Sequence, residues 1–199
     1  MQAEGALTKG MGFVNARSFV LARAGSAGWE AVLARLSEDD RATLASIIAV
    51  GWYPIGLDAR LQRAIDEVHG TGDQATSEAI GRYAAERDLT TIHRIFLRLF
   101  SPGFAVEKLT ELWPRYHDSG RWTIVESSGT HVIGRLDDWG GNVDAILCRG
   151  AAGYIGRCLE LAGARHVVMD HPKCRARGDA FCLFTSRWGQ IATRGEPRT

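Results

Sequence analysis

Apolar positions in the first half of the chain recur at spacings of three and four, the period that turns one face of an α-helix toward a core. Trp29, Val32, Leu33 and Leu36 form one such stripe, and Leu44, Ile47 and Ile48 form another between Asp40 and Gly51. Pro54, set between Gly51 and Gly56, breaks this second helix, and Leu61, Ile65 and Val68 resume the spacing over Leu57 to Val68. After a polar loop that begins at His69, a long helix is predicted over Ala75 to Phe100, with Asp88 to Thr91 as a candidate interruption. Ile80, Tyr83, Ala84, Ile92, Ile95, Phe96, Leu99 and Phe100 share one side of it, and Ser101 and Pro102 stop it. Another helix, Phe104 to Asp118, carries Val106, Leu109, Leu112, Trp113 and Tyr116. The glycine-rich residues 1–26 ahead of all this read as an N-terminal arm or edge strand, with a short extended piece at Gly12 to Leu21.

Past Gly120 the period changes to that of strands. Arg121 to Ser128 and Thr130 to Leu136 are β-rich runs separated by Gly129, which predicts an antiparallel pair. Trp139 to Ala162 is helical again. His166 to Asp170 and Ala180 to Arg187 are strands joined by the turn-rich HPKCRARGD. Helices followed by strand, strand, helix, strand, strand predict an α+β fold, with N-terminal helices packed on a small antiparallel sheet, because a parallel sheet needs a helix between every pair of strands. The length of 199 residues suits a single domain, taken as 27–190, with a flexible tail at 191–199.

Composition narrows the function classes. A hydrophobic fraction of 45% and a charged fraction of 24% are those of a globular protein. With 24 basic against 23 acidic residues and no long basic stripe, nucleic acid is not an expected partner. No apolar run approaches the ~20 residues of a membrane span, and no charged segment followed by an apolar signal core opens the chain, so a cytoplasmic location is expected. The four cysteines all lie between Cys148 and Cys182, a pattern that suits a reducing compartment better than a disulfide framework.

Those cysteines carry the most specific chemistry in the chain. Cys174 and Cys182 flank a turn at Gly178 and Asp179, so a strand pair brings both sulfurs to one end of the sheet, and His171 precedes Cys174 by three residues. Cys148 lies on the preceding helix, in line with Ala152, Ile155 and Leu159. Three thiolates and one imidazole make a closed tetrahedral donor set of the kind structural zinc takes. The alternative is that these cysteines are small buried hydrophobes, which is how free cysteine most often behaves. Cys158 shares a stripe with Leu147, Tyr154 and Leu161 and reads as packing.

The stretch CRGAAGYIGRCLELAG from Cys148, with HPKCRARGDAFCLF, resembles the 4-vinyl-reductase domain family, whose superfold is shared with TRAPP trafficking subunits and haem-based NO-sensing domains. The resemblance covers roughly the last eighty residues. Across the whole chain, Trp52 to Pro54 and the Gly-Asp-x-x-Cys ending also resemble an uncharacterised family common in myxobacteria. In sensor members of the 4-vinyl-reductase family, a helix cysteine, an acidic residue and two hairpin cysteines bind zinc. The resemblance therefore implies Cys148, Cys174 and Cys182 as ligands, with His171 in the place of the acidic one. It also implies a homodimer formed through N-terminal helices. The haem sensors of the superfold carry a Tyr-x-Ser-x-Arg signature that this chain lacks, which weighs against haem.

No nucleophile elbow, phosphate-binding glycine loop or paired-carboxylate spacing is present, so the chain carries no enzyme signature. His69 and His93 stand alone. Phe96, Trp113, Tyr116, Trp122 and Tyr154 are the candidates to wall an apolar pocket, with plain core packing as the alternative. The expected function is a small-molecule-binding regulatory or sensor domain that takes a small apolar or aromatic ligand and signals to a protein partner. A ligand-free assembly adaptor of the TRAPP kind stands second and a tetrapyrrole-reducing enzyme third.

Overall fold

The computed structural model describes residues 5–89, 101–140 and 144–189. A short strand β1 (Leu7–Lys9) leads into α1 (Met11–Leu33) and α2 (Glu38–Ala45). Strand β2 (Trp52–Pro54) returns to pair antiparallel with β1, and α3 (Ile55–His69), α4 (Ala75–Asp88) and α5 (Pro102–Leu112) complete the helical half. Strands β3 (Arg121–Ser127) and β4 (His131–Asp137), helix α6 (Ala145–Leu161), and strands β5 (Arg165–Lys173) and β6 (Cys182–Gly189) follow. The four later strands form one antiparallel sheet in the order β3-β4-β6-β5. The fold is α+β, with helices ahead of a small antiparallel sheet. Among the described residues, no helix is long and apolar enough to cross a membrane.

Local chemistry sets the helix ends. The Ser37 hydroxyl accepts from the Asp40 N–H and opens α2, whose first turn carries Glu38, Asp39 and Asp40 against the positive end of the helix dipole. Ser101 caps α5 in the same way, with Pro102 in the first turn where its missing N–H costs nothing. Asp144 caps α6, so that helix begins at Ala145 rather than at Trp139. Helix α5 ends at Leu112 and passes into a 3-10 turn, Trp113–Arg115, short of the predicted Asp118; Pro114 cannot donate the next helical hydrogen bond.

The largest departure from the sequence reading lies at the N-terminus. The piece expected to be extended at Gly12 to Leu21 is helical, part of a 23-residue run interrupted only by a kink at Gly25 (φ 64°, ψ −167°). Phe13, Ala16, Phe19 and Val20 recur at helical spacing and are buried against α3 and α4 with Leu61, Ile65 and Ile80. Strand β1 is tied to the segment after α5, with the Lys9 N–H donating to the Tyr116 carbonyl (2.8 Å) and the Asp118 N–H to the Leu7 carbonyl (3.1 Å).

Helices α4 and α6 approach more closely than any side chain at the crossing would allow. A Cβ on Gly81 would run into the Gly150 carbonyl oxygen, and one on Gly153 into the Glu78 carbonyl oxygen. Ion pairs flank the crossing: Arg82–Glu160 at 2.8 Å, Arg157–Glu86 at 2.8 Å and Arg149–Glu78 at 3.1 Å. A second apolar cluster joins α6 to the sheet through Ile146, Leu136, Trp139 and Phe184, and the cysteines lie in it.

Candidate functional site

Two constellations stand out, one at each face of α6. The first is Cys148, His171, Cys174 and Cys182, whose ligand atoms all lie within 4.8 Å of one another. The Sγ–Sγ separations are 3.8 Å for Cys148–Cys182 and 3.9 Å for Cys174–Cys148. Sulfurs bound at about 2.3 Å to one tetrahedral zinc stand about 3.8 Å apart, and a disulfide needs about 2.05 Å, so the spacing suits a shared metal and not a bond.

The hairpin is built to hold this arrangement. The Asp179 carboxylate accepts from the Cys174 N–H (2.7 Å), and the Arg177 and Asp179 N–H groups donate back to the Cys174 carbonyl across a turn that closes at Gly178 (φ 95°). The Arg175 N–H donates to Cys182 Sγ at 3.4 Å. His171 falls where β5 slips register against β6, between Asp170 and Lys173, and its ring stacks on Phe184 at 4.3 Å. Its Nε2 is buried without a hydrogen-bond partner. Asp170 is turned away to Arg187.

The thiols compete for one negative charge. A hydrogen bond from Cys148 is the main cause holding Cys182 down to about 4, the same contact pushes Cys148 up, and burial raises Cys174. A bound cation removes this competition, since it favours thiolate on all three sulfurs. Cys158 is buried on α6 outside the cluster, with its thiol pushed up by burial.

The second constellation is a cavity of 310 Å³ between the helices and the sheet, lined from α1, α3, α4, α5, α6 and β3. Trp113, Tyr116, Trp122 and Tyr154 all reach its wall. Phe96, the fifth expected lining residue, lies outside the described residues, as do His93 and the second part of the predicted long helix. Trp113 meets Trp122 and Trp139 edge to face at 5.8 and 5.1 Å, and its Nε1–H donates to the Ser119 carbonyl (2.9 Å). Burial pushes the Tyr154 hydroxyl above its ordinary range.

Several polar residues on the wall escaped the sequence reading. The ring of His117 stacks on Trp113 at 3.9 Å, and its Nδ1 is buried without a partner. Asp58 accepts from Gln62 (3.1 Å), and the Ser77 hydroxyl stands between Gln62 Oε1 and the Ile146 carbonyl (2.7 Å), able to donate to one at a time. Asp88 accepts from Asn15 (2.9 Å). The available signal was Asp58 and Gln62, polar residues four apart beside the apolar stripe of α3.

Burial holds the Asp58 carboxyl up at about 6 and the His117 imidazole down at about 3. The two shifts act oppositely on stability. Asp58 lies above its unfolded value of about 3.9, so its ionised form costs stability above about pH 6, and the cost fades as pH falls toward 4. His117 lies below its unfolded value of about 6.5, so its contribution is complete above that pH and is lost on acidification. Asp58→Asn is therefore expected to stabilise the protein near pH 7 by about 1–3 kcal/mol, with the gain gone near pH 4. Urea unfolding across that range measures it, and a variant no more stable than its parent near neutrality contradicts the burial of this carboxyl.

No family model matches the chain, and no curated protein matches it. Solved structures do. An unliganded Fe(II) H-NOX protein from K. algicida superposes with a TM-score of 0.68 at 9% identity, covering 92% of this chain and 98% of that one. An H-NOX protein from S. oneidensis in the Fe(II) ligation state gives 0.68 at 15% identity, over 93% and 98%. The chain has the H-NOX fold. An IWP-051-bound H-NOX from Shewanella woodyi in the Fe(II)CO state adds a TM-score of 0.63 at 12% identity, over 96% and 99%.

This likeness overturns two expectations. The resemblance to 4-vinyl-reductase domains gives way to the H-NOX fold, one of the superfold relatives named with it. The cysteine motif spans one helix and one hairpin, whereas the superposition covers more than nine-tenths of the chain. The expectation against haem is corrected too, since another matching structure concerns haem distortion in the H-NOX family. One missing sequence signature does not set haem aside when the cavity wall offers a neutral, buried imidazole with an unpartnered nitrogen beside three tryptophans.

Proposed function

We propose that the protein is a small-molecule-binding sensor domain whose ligand enters the cavity beside α6 and whose signal leaves through protein contacts. The observation that carries this reading is the cavity itself, 310 Å³ walled by Trp113, Trp122 and Trp139 and holding the unpartnered His117 imidazole. A ligand-free adaptor would fill this space with side chains. Pockets of about 300–1,000 Å³ with apolar walls and a few converging polar groups are where small molecules bind. Haem would supply an iron centre for a diatomic gas, and among the described residues His117 is the one on the cavity wall suited to hold it.

In the same reading, Cys148, His171, Cys174 and Cys182 bind a structural zinc that fixes the β5–β6 hairpin to α6. Four protein donors would leave no coordination position open for substrate, which supports a ligand site in the cavity rather than at the metal. Partner contacts, including a homodimer through the N-terminal helices, carry the output.

Titration with hemin and with the neutral aromatic 1-naphthylmethanol, followed by tryptophan emission, tests the cavity. Saturable quenching at about one molecule per chain is expected, and Ala151→Trp, which fills the cavity from α6, is expected to weaken it at least ~10-fold. Absence of saturable quenching by both probes overturns the reading.

A further inference from the structure

We infer that the cavity selects a ligand with an apolar or aromatic body and a protonated nitrogen, and that Asp58 holds the nitrogen. The inference rests on the ligand-site reading above and concerns its organic-ligand branch, as distinct from haem, which it narrows to cations such as arylalkylamines.

Asp58 lies on the cavity wall, and its single hydrogen bond among the described residues comes from Gln62 to Oδ1. No lysine or arginine among the described residues pairs with it, although two arginines follow closely on the same helix. Arg60 is taken by Asp40 through two hydrogen bonds of 2.8 and 2.7 Å, and Arg63 by Asp144. Lys9, the basic residue on the cavity wall, donates to the Val50 carbonyl (2.8 Å) and lies over the Trp52 ring at 4.0 Å. Among the described residues, these three cations are thus committed elsewhere, and the carboxylate lines the cavity. A buried carboxylate is costly unless a positive charge and hydrogen bonds compensate it, so a ligand cation completes what the chain omits.

The surroundings suit such a ligand. Gly12 on α1 leaves room above Asp58 Oδ2, which a Cβ there would approach to 3.8 Å. One helical turn further, Asn15 holds a second wall carboxylate, Asp88, and accepts from Arg87 in turn, so Asp58 is the wall carboxylate with no arginine beside it among the described residues. Indole rings of the kind that line the cavity attract cations. The His117 Nδ1, buried and unpartnered, adds a polar group that can accept from a ligand N–H. Burial holds the Asp58 carboxyl up at about 6, and a cation beside it would draw that value back down.

A charge series on one ring tests the inference with the full-length, metal-loaded protein: 1-naphthylmethylammonium, neutral 1-naphthylmethanol and 1-naphthoate, titrated at mildly alkaline pH. The ammonium is expected to bind at least ~10-fold more tightly than the alcohol, and the carboxylate more weakly than either. Asp58→Asn is expected to bring the ammonium-to-alcohol ratio to about 1. If the alcohol binds and the ammonium gains nothing, or if Asp58→Asn keeps the preference, the inference falls and the cavity reading stands. If none of the three binds, the inference falls, and the cavity reading falls with it unless hemin binds. The series on the unaltered protein decides the matter even where the variant fails to fold.

Discussion

Replacing Cys174 with serine is expected to release the zinc and to lower stability by about 3–5 kcal/mol. The magnitude follows from what the metal would hold together. Cys174 and Cys182 end the β5–β6 hairpin, His171 sits in the slipped register of β5, and Cys148 belongs to a helix far away in sequence. One ion joining the four ties the edge of the sheet to α6, and without it three crowded sulfurs and an orphaned imidazole nitrogen are left in an apolar core. Elemental analysis of protein purified without chelator should give about one zinc per chain for the parent and far less for the variant. Cys158→Ala, on the same helix but outside the cluster, should keep the metal. A parent without zinc, or a Cys174→Ser protein that melts with its parent, would mean that the cysteines are only packing.

Gly153→Ala should come next, destabilising by about 3 kcal/mol or more. Its added methyl would meet the Glu78 carbonyl, a backbone atom of α4 that cannot rotate away, so the two helices would have to separate. Gly81→Ala should act alike from the other helix, against the Gly150 carbonyl. The ion pairs beside the crossing cannot make up the loss, because exposed pairs contribute only about 0–1 kcal/mol each. Gly129→Ala, with open space around it, serves as the control and should change stability by less than about 0.5 kcal/mol. Denaturant melts of the three variants settle the point, and a Gly153→Ala protein as stable as Gly129→Ala would refute so close a crossing.

The second half of the chain was readable because its signals are local. Alternation over Arg121–Ser127 and His131–Asp137, and the turn at Gly178, each need only a few neighbouring residues. The cysteine cluster was readable for the same reason, since a hairpin and one helix face determine where the four side chains meet. Helix α1 was not. Its stripe of Phe13, Ala16, Phe19 and Val20 is present, but Gly12, Gly25 and Gly28 lower intrinsic helix propensity, and packing against α3 and α4 overrides that. The polar residues of the cavity were hidden because Asn15, Asp58, Asp88 and His117 come from separate parts of the chain that meet only in the tertiary fold. Nothing in the spacing of a sequence marks a carboxylate whose neighbouring arginines have turned to other partners.

Helix α6 contributes Cys148 to one constellation and, six residues on, Tyr154 to the other, about 9 Å along the axis. A continuous helix transmits displacement along its length with little loss, so the two stations share one ruler. If the proposed metal shifts that first turn, the cavity wall on the same helix shifts with it, and thermodynamic linkage would then make the exchange symmetric: a molecule that binds better beside Tyr154 when the thiols are loaded would strengthen their hold on the ion by the same factor.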